Sequence, residues 1–392
     1  MNVRHFLILL VVSLLSTGAW LPASAQDYCL NATRFDAQQV EIRKWKNALL
    51  DRRFVDLEAH FSGLIRGYEK SELDDDTVER WFRVFSQTSP ALEPLHREWM
   101  KKYPASFAAH LAAAEYFHTV GHAKRGGKFA RDTSESQFEA MRASYDEALA
   151  ILDRAEKLTS KPTLAIALRI YLMRATGGRD DVLALFRRGE KVDPGNLRVK
   201  VAYISSLNPK WGGSIEELGE LLKAMQAGSL PRSKKSFVEY LVTYEVADDV
   251  LHDKRTADAI KLYERANQLC PAVEEILVTL VRLYDDEKRY TEMRGAADRY
   301  IARRSDSGWG YARRAWANYY LSNLQSSMAD AEKAAALDDN YGTYLLGWFY
   351  DKGKAVVARD AKKALELYTT AKSRGYAKAE PDVERLRAEL RK

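Results

Sequence analysis

Cysteine is nearly absent: the 392 residues hold two, Cys29 and Cys270. Two thiols cannot build a disulfide-dense scaffold or a paired-cysteine metal knuckle. They could pair with each other in an oxidising compartment; alternatively Cys270, which precedes Pro271 at the end of a helical pattern, is a buried apolar side chain. Beyond the N-terminus, long apolar runs are missing because charge interrupts every helical pattern within two turns, so no membrane span is expected. Sustained alternation of apolar and polar residues is missing too, which excludes a β-sheet fold. There is no nucleophile elbow. The stretch Gly121 to Lys128 fails as a phosphate loop, since its spacing is one residue too long and Phe129 stands where Ser or Thr is needed. Nor is there a dense basic run. The 61 basic and 55 acidic residues are interleaved at helical spacing, giving a net charge of +6. That pattern describes solvated helix faces, so no nucleic-acid partner is expected, and an anionic envelope polymer is the weaker alternative. No cofactor and no catalytic residue is expected.

The chain begins with Arg4 and His5, an apolar run from Phe6 to Leu15, and "LPASA" before Gln26. This is the pattern of a secretory signal peptide cleaved after Ala25, its apolar core shorter than the roughly 20 residues a span requires. A periplasmic or secreted chain is therefore expected. Cys29 stands too far past the cleavage point to complete a lipoprotein site.

From Thr256 to Ala379 one spacing recurs. Ala259, Met293 and Ser327 stand 34 apart; Tyr263, Ala297 and Ala331 follow four residues later, and Ala266, Tyr300 and Ala334 seven later. The same register is present earlier at Ala148 and Val182, with Leu152 and Phe186, then Ala155 and Gly189, in step. Small residues at this period mark helix pairs that bury their apolar faces by stacking on neighbours.

These residues resemble tetratricopeptide repeats. The resemblance implies an all-α helix-turn-helix solenoid with a right-handed superhelix. The stretch ending in Ala379 resembles a Sel1-like repeat, through Leu346, Gly347, Tyr350, Gly353, Asp360, Ala364, Tyr368, Ala371, Gly375 and Ala379. It departs from that pattern at Ala355, at Lys372, and in a turn one residue long before Asp360. Residues from about 54 to 218 resemble a bacterial domain family of unknown function, through Trp81, Phe85, Trp99, Pro104 and Ser106, then Ala123, Arg125 and Gly126, then Pro209 to Ser214.

The expected organisation is a signal peptide over 1–25, an N-terminal helical region over 26–218, tetratricopeptide and Sel1-like repeats over 219–380, and a capping helix over 381–392. The N-terminal region carries two inserted loops, at 121–136 and 208–217. Within it Val78, Trp81, Phe82 and Phe85 form a buried row, the acidic segment from Glu72 to Asp76 caps their helix, and Ser106 caps the next long one. In the Sel1-like stretch, Gly353 ends one helix in a left-handed conformation and Asp360 caps the next. In the final helix Leu386 and Leu390 share the inner side.

His118 and His122 are four apart, with His110 eight before His118, a metal-compatible spacing; Gly121 is expected to end the helix between them, leaving structural histidines as the alternative. Asp74 with Asp75, and Asp248 with Asp249, are read as surface charges. In "PKWGGS", Gly212 and Gly213 permit a tight turn, Ser214 caps the next helix, and Trp211 must bury against something, either as a rigid plug or at a ligand.

The functional expectation is a protein or peptide partner in the cell envelope, bound by surface rather than by chemistry. An enzyme or small-ligand binder using the loops of residues 81–218 is the alternative. In tetratricopeptide-like repeats the first helix of each pair lines the groove. Carried back from Ser327, that register selects Trp309, Arg313, Trp316 and Tyr320, with Arg282 in the preceding repeat and Tyr244 in the one before. Trp, Tyr and Arg are the types that dominate binding hot spots; at helical spacing, aromatics are also ordinary core.

Overall fold

The computed structural model describes Cys29, residues 35–126 and residues 133–391. Residues 1–25, expected to be a signal peptide, and residues 127–132 of the first inserted loop lie outside the described residues. Among those described, every regular element is helical. The chain divides into two compact units, Met1–Asp249 and Val250–Lys392.

The first unit runs through α1 (Phe35–Leu50), α2 (Phe54–Glu69), α3 (Asp75–Phe82), α4 (Glu93–Lys102), α5 (Phe107–Arg125), α6 (Glu135–Ala155), α7 (Thr163–Thr176), α8 (Arg179–Val192), α9 (Leu197–Ser206), α10 (Ile215–Ala227) and α11 (Arg232–His252). Consecutive helices pack as pairs: α5 on α6, α7 on α8, α8 on α9, with α7 also against α9. Each start has a local cause. The backbone N–H of Thr77 donates to the Asp74 carboxylate at 2.6 Å, that of Ala109 to the Ser106 hydroxyl at 3.1 Å, and that of Glu217 to the Ser214 hydroxyl at 3.2 Å. Such caps satisfy donors that the first helical turn cannot pair. The core opens on an aromatic knot of Phe61, Phe82, Phe85 and Trp99, all buried.

Two expectations need correction here. Gly121 does not end a helix: α5 continues to Arg125, and Gly126, at φ +78°, terminates it. A Cβ on Gly121 would stand 2.6 Å from the Tyr145 ring, so the glycine serves the close crossing of α5 and α6. Asp75 is not a surface charge. It is 3% exposed, and one carboxylate oxygen accepts the backbone N–H groups of Leu197 and Arg198 at 2.5 and 2.8 Å. A side chain on α3 thus caps α9 from 122 residues away in sequence.

The second unit contains the end of α11, then α12 (Thr256–Leu269), α13 (Glu274–Asp286), α14 (Tyr290–Ile301), α15 (Gly308–Tyr320), α16 (Leu324–Ala336), α17 (Asn340–Lys352), α18 (Ala361–Ser373) and α19 (Glu380–Glu389). Every helix from α12 onward packs on the next. The second helices of the pairs start at Thr256, Tyr290 and Leu324, each 34 residues after the last. The turn before each is identical in kind: Lys254, Lys288 and Ser322 adopt φ of 60°, 55° and 61°. The next residue's N–H then reaches back to close the helix end, with Arg289 to the Tyr284 carbonyl at 2.8 Å and Asn323 to that of Asn318 at 2.9 Å. This is the left-handed C-cap that usually recruits glycine.

All nine residues of the 34-residue register, from Ala259 to Ala334, are buried. A Cβ on Gly342 would meet the Ala334 Cβ at 2.3 Å, which shows how closely α16 and α17 approach. Between α17 and α18, Gly353 is left-handed at φ +57°, and the Lys363 N–H donates to the Asp360 carboxylate at 2.9 Å. The last helix departs from expectation: Val383 and Leu386 are buried, whereas Leu390, at its frayed end, is exposed.

Candidate functional site

Helix α15 brings four of the expected site residues onto one face. Trp309 is half-buried and meets the Tyr300 ring edge-on, with centroids 4.8 Å apart. The Arg313 guanidinium lies 4.6 Å from the centroid of Tyr341 on α17 and 5.8 Å from that of Trp309. The Trp316 indole N–H donates to Asp285 of α13 at 3.1 Å, and the other Asp285 oxygen stands 4.0 Å from Arg313. Tyr320 is 47% exposed and stacks on Tyr290 at 4.2 Å. Arg282 lies one turn before Asp285 and is exposed. Tyr244 belongs to the first unit, half-buried with its ring 6.3 Å from that of Tyr240.

Asp285 and Tyr341 were not foreseen, and they organise the face. Burial pushes the Asp285 carboxyl above its ordinary range, while Arg313 and the Trp316 indole pull it back. Further aromatics extend the row: Tyr319 and Trp348 meet edge-on at 5.2 Å, and Tyr341 neighbours Tyr376 at 5.9 Å. Both tryptophans are half-buried; Trp316 packs on the core cluster that contains Ala315, Met328 and Phe349 and spends its donor on a carboxylate.

The first unit holds a cavity between α3, α5, α7 and α9. It measures about 60 Å³, is walled by Phe82, Leu111, Leu164 and Leu168 and carries Glu79, Arg83, Glu115, Tyr171 and Arg198. The register that selects Trp309, Arg313 and Trp316 from Ser327 selects Leu164, Leu168 and Tyr171 from Val182, so this cavity was within reach of the sequence. Arg198 is held by Asp76 at 2.6 Å and lies 3.5 Å from Glu79; Arg83 donates to Glu79 at 3.0 Å. Among the described residues, Glu115 accepts only the Ser86 hydroxyl, at 2.6 Å. Desolvation raises its carboxyl to about 7, with Ser86 opposing.

Next to the cavity, the Trp211 turn finds its packing partners. The Arg174 and Arg125 guanidiniums lie 4.7 and 5.8 Å from its ring centroid. Gly212 takes φ +86°, and a Cβ on Gly213 would lie 2.0 Å from the Leu207 carbonyl oxygen, so both glycines are obligatory. His118 and His122 share one helix; desolvation lowers His118 to about 4. Among the described residues, no group of three or more His, Cys, Asp or Glu is placed to hold a metal.

Helix pairs at a 34-residue interval, closed by the same turn and meeting at the same buried register positions, decide the fold. The described helices form an all-α repeat of helix–turn–helix pairs. Two solved structures resemble it loosely along most of its length. One is yeast Tom70, at TM-score 0.33 and 9% identity, covering 87% of this chain and 89% of that one. The other is the APC/C hetero-tetramer Cut9-Hcn1, at TM-score 0.33 and 13% identity, covering 93% and 87%. The fold assignment rests on the helix geometry and not on these overlaps. No protein-family model and no curated protein matches the sequence.

Proposed function

We propose that this repeat is an exported scaffold that holds a protein or peptide partner in the cell envelope on the inner helices of its second unit. The observation that carries the reading is the face built by Arg313, Trp316 and Tyr320, with exposed Arg282 one helix away: amphipathic side chains left half-covered, yet oriented by Asp285 and Tyr341. Large, pre-positioned aromatic and guanidinium groups give binding energy at small ordering cost. Export is supported by the leader-like start and by the thiols, since Cys29 and Cys270 are both disulfide-bonded. Disulfides persist in oxidising compartments. No helix among the described residues is long and apolar enough to cross a membrane.

The test compares the full mature chain with Arg282→Ala and Arg313→Ala in pull-downs from envelope extract, followed by binding titrations against the protein recovered. A hot-spot arginine should cost about 2 kcal/mol or more, roughly thirtyfold in affinity, with the melting temperature nearly unchanged. Unaltered binding by both variants would refute the site. Loss of folding in Arg313→Ala with unaltered binding by Arg282→Ala would assign the face to packing.

A further inference from the structure

Two acids and two bases line the first-unit cavity, but they pair unevenly. Its two cations are committed: Arg198 to Asp76 and Glu79, Arg83 to Glu79. Glu115 is not. Among the described residues no cation stands within ion-pair distance of it, and its sole hydrogen bond is to a neutral hydroxyl. The Glu79 Oε2 atom likewise has no hydrogen-bond partner, and neither has the buried Arg198 Nε donor. A carboxylate held in an apolar wall without a countercharge is costly for the fold, and a site with convergent polar groups in an apolar cleft is the usual form of a ligand pocket.

We propose that this cavity binds an ammonium group carried on a short aliphatic stem, the stem lying along Phe82, Leu111, Leu164 and Leu168 and the ammonium ion-pairing with Glu115, with Glu79 beside it. A lysine side chain of a partner and a free alkylamine share this chemistry. An anion is disfavoured because the guanidiniums that could receive it are already held by carboxylates, and because it would face Glu115 and Glu79. The groups that set the protonation of Glu115 are Glu79 and Arg83 across the cavity and the Ser86 hydroxyl; Tyr171 and Arg198 complete the wall. A bound cation favours the ionised carboxylate, so affinity should weaken as pH falls below about 7, where a proton competes for the same group.

The inference stands apart from the second-unit reading, since none of its residues belongs to that unit. Calorimetric titration of the full mature chain with n-butylammonium and with Nα-acetyl-lysine methylamide tests it, with n-butanol and butyrate as controls. Expected are saturable binding of at least one ammonium probe, at least tenfold weaker binding of butanol, and loss of ammonium binding in Glu115→Gln. Binding of both ammonium probes indicates that a free amine suffices; binding of the lysine derivative alone assigns the site to a partner's lysine. Glu115→Gln should keep its fold and should melt no lower than the parent at pH 8, because an uncountered carboxylate has been replaced by a neutral amide. Should that variant fail to fold, the pH dependence of the parent replaces it: ammonium affinity must fall at least tenfold between pH 8 and pH 5.5. Saturation by butyrate but not ammonium, undiminished ammonium binding by a folded Glu115→Gln, or pH-independent affinity would each overturn the proposal.

Discussion

Replacing Lys288 by glycine should make this protein more stable. The residue sits at φ 55° in the turn between α13 and α14, where an L side chain crowds its own carbonyl. That conformation costs a non-glycine residue about 1 to 2 kcal/mol. Glycine removes the cost but gives the unfolded chain more freedom, worth about 0.4 to 1 kcal/mol in the other direction. The difference is a gain of roughly 0.5 to 1 kcal/mol. Lys288 is exposed, so truncating its side chain removes no packing. Lys254 and Ser322 share the geometry at φ 60° and 61° and are also exposed. The three sites occupy different turns, so their effects should add to within about 0.5 kcal/mol and give the triple glycine variant about 2 kcal/mol. Urea titration followed by circular dichroism measures this as a rise in the midpoint at unchanged slope. The converse control is Gly353→Ala at φ +57°, which should destabilise by about 1 kcal/mol or more. A neutral or negative effect of Lys288→Gly, beside a harmless Gly353→Ala, would refute the assignment of left-handed strain to these turns.

Ala334→Phe should overpack the contact with Gly342 and destabilise by about 1 to 3 kcal/mol, read as a lower urea midpoint. Glu115 should leave a pH signature of defined sign. Its folded value of about 7 exceeds the ordinary 4.5, so the folded state holds a proton that the unfolded state has released across that window. Its contribution is full below about 4.5 and is lost as pH rises through 7, by at most roughly 3 kcal/mol. The stability difference between parent and Glu115→Gln, measured from pH 4.5 to 8, isolates this from the histidines and should shift against the parent as pH rises. Thiol titration of the denatured, unreduced protein should find no free thiol, and two per chain after reduction.

What was legible in the sequence follows from range. The register of Ala259, Met293, Ser327 and their followers was legible because close helix contacts demand small or shape-matched residues at fixed intervals, wherever the chain goes next. Caps such as Ser106, Ser214 and Asp360 act within three residues and were equally plain. The left-handed turns were hidden because Lys254, Lys288 and Ser322 stand where glycine is the usual sign. Gly121 misled for the opposite reason: a glycine that serves a crossing looks like one that ends a helix until Tyr145 is placed beside it. Asp75 and Asp285 owe their roles to partners on other helices, and nothing adjacent in sequence marks a carboxylate as a distant cap or as a clamp on an indole. The first-unit cavity is intermediate, since the register points to Leu164, Leu168 and Tyr171 but the isolation of Glu115 emerges only from three-dimensional proximity.

The carboxylate of Asp75 on the first turn of α9 has a consequence for how the molecule is made. Helical repeats fold quickly because most contacts join near neighbours, and each added hairpin needs little chain to be gathered in. The bonds from Leu197 and Arg198 to Asp75 span 122 and 123 residues, so their closure must wait for more than three times the length of one repeat. During synthesis the acidic side chain is present long before its helix. The hairpins from α5 to α8 can form in sequence, and Asn196 caps α9 locally through the Val199 N–H, but the Leu197 and Arg198 N–H groups gain their partner only when α9 meets α3.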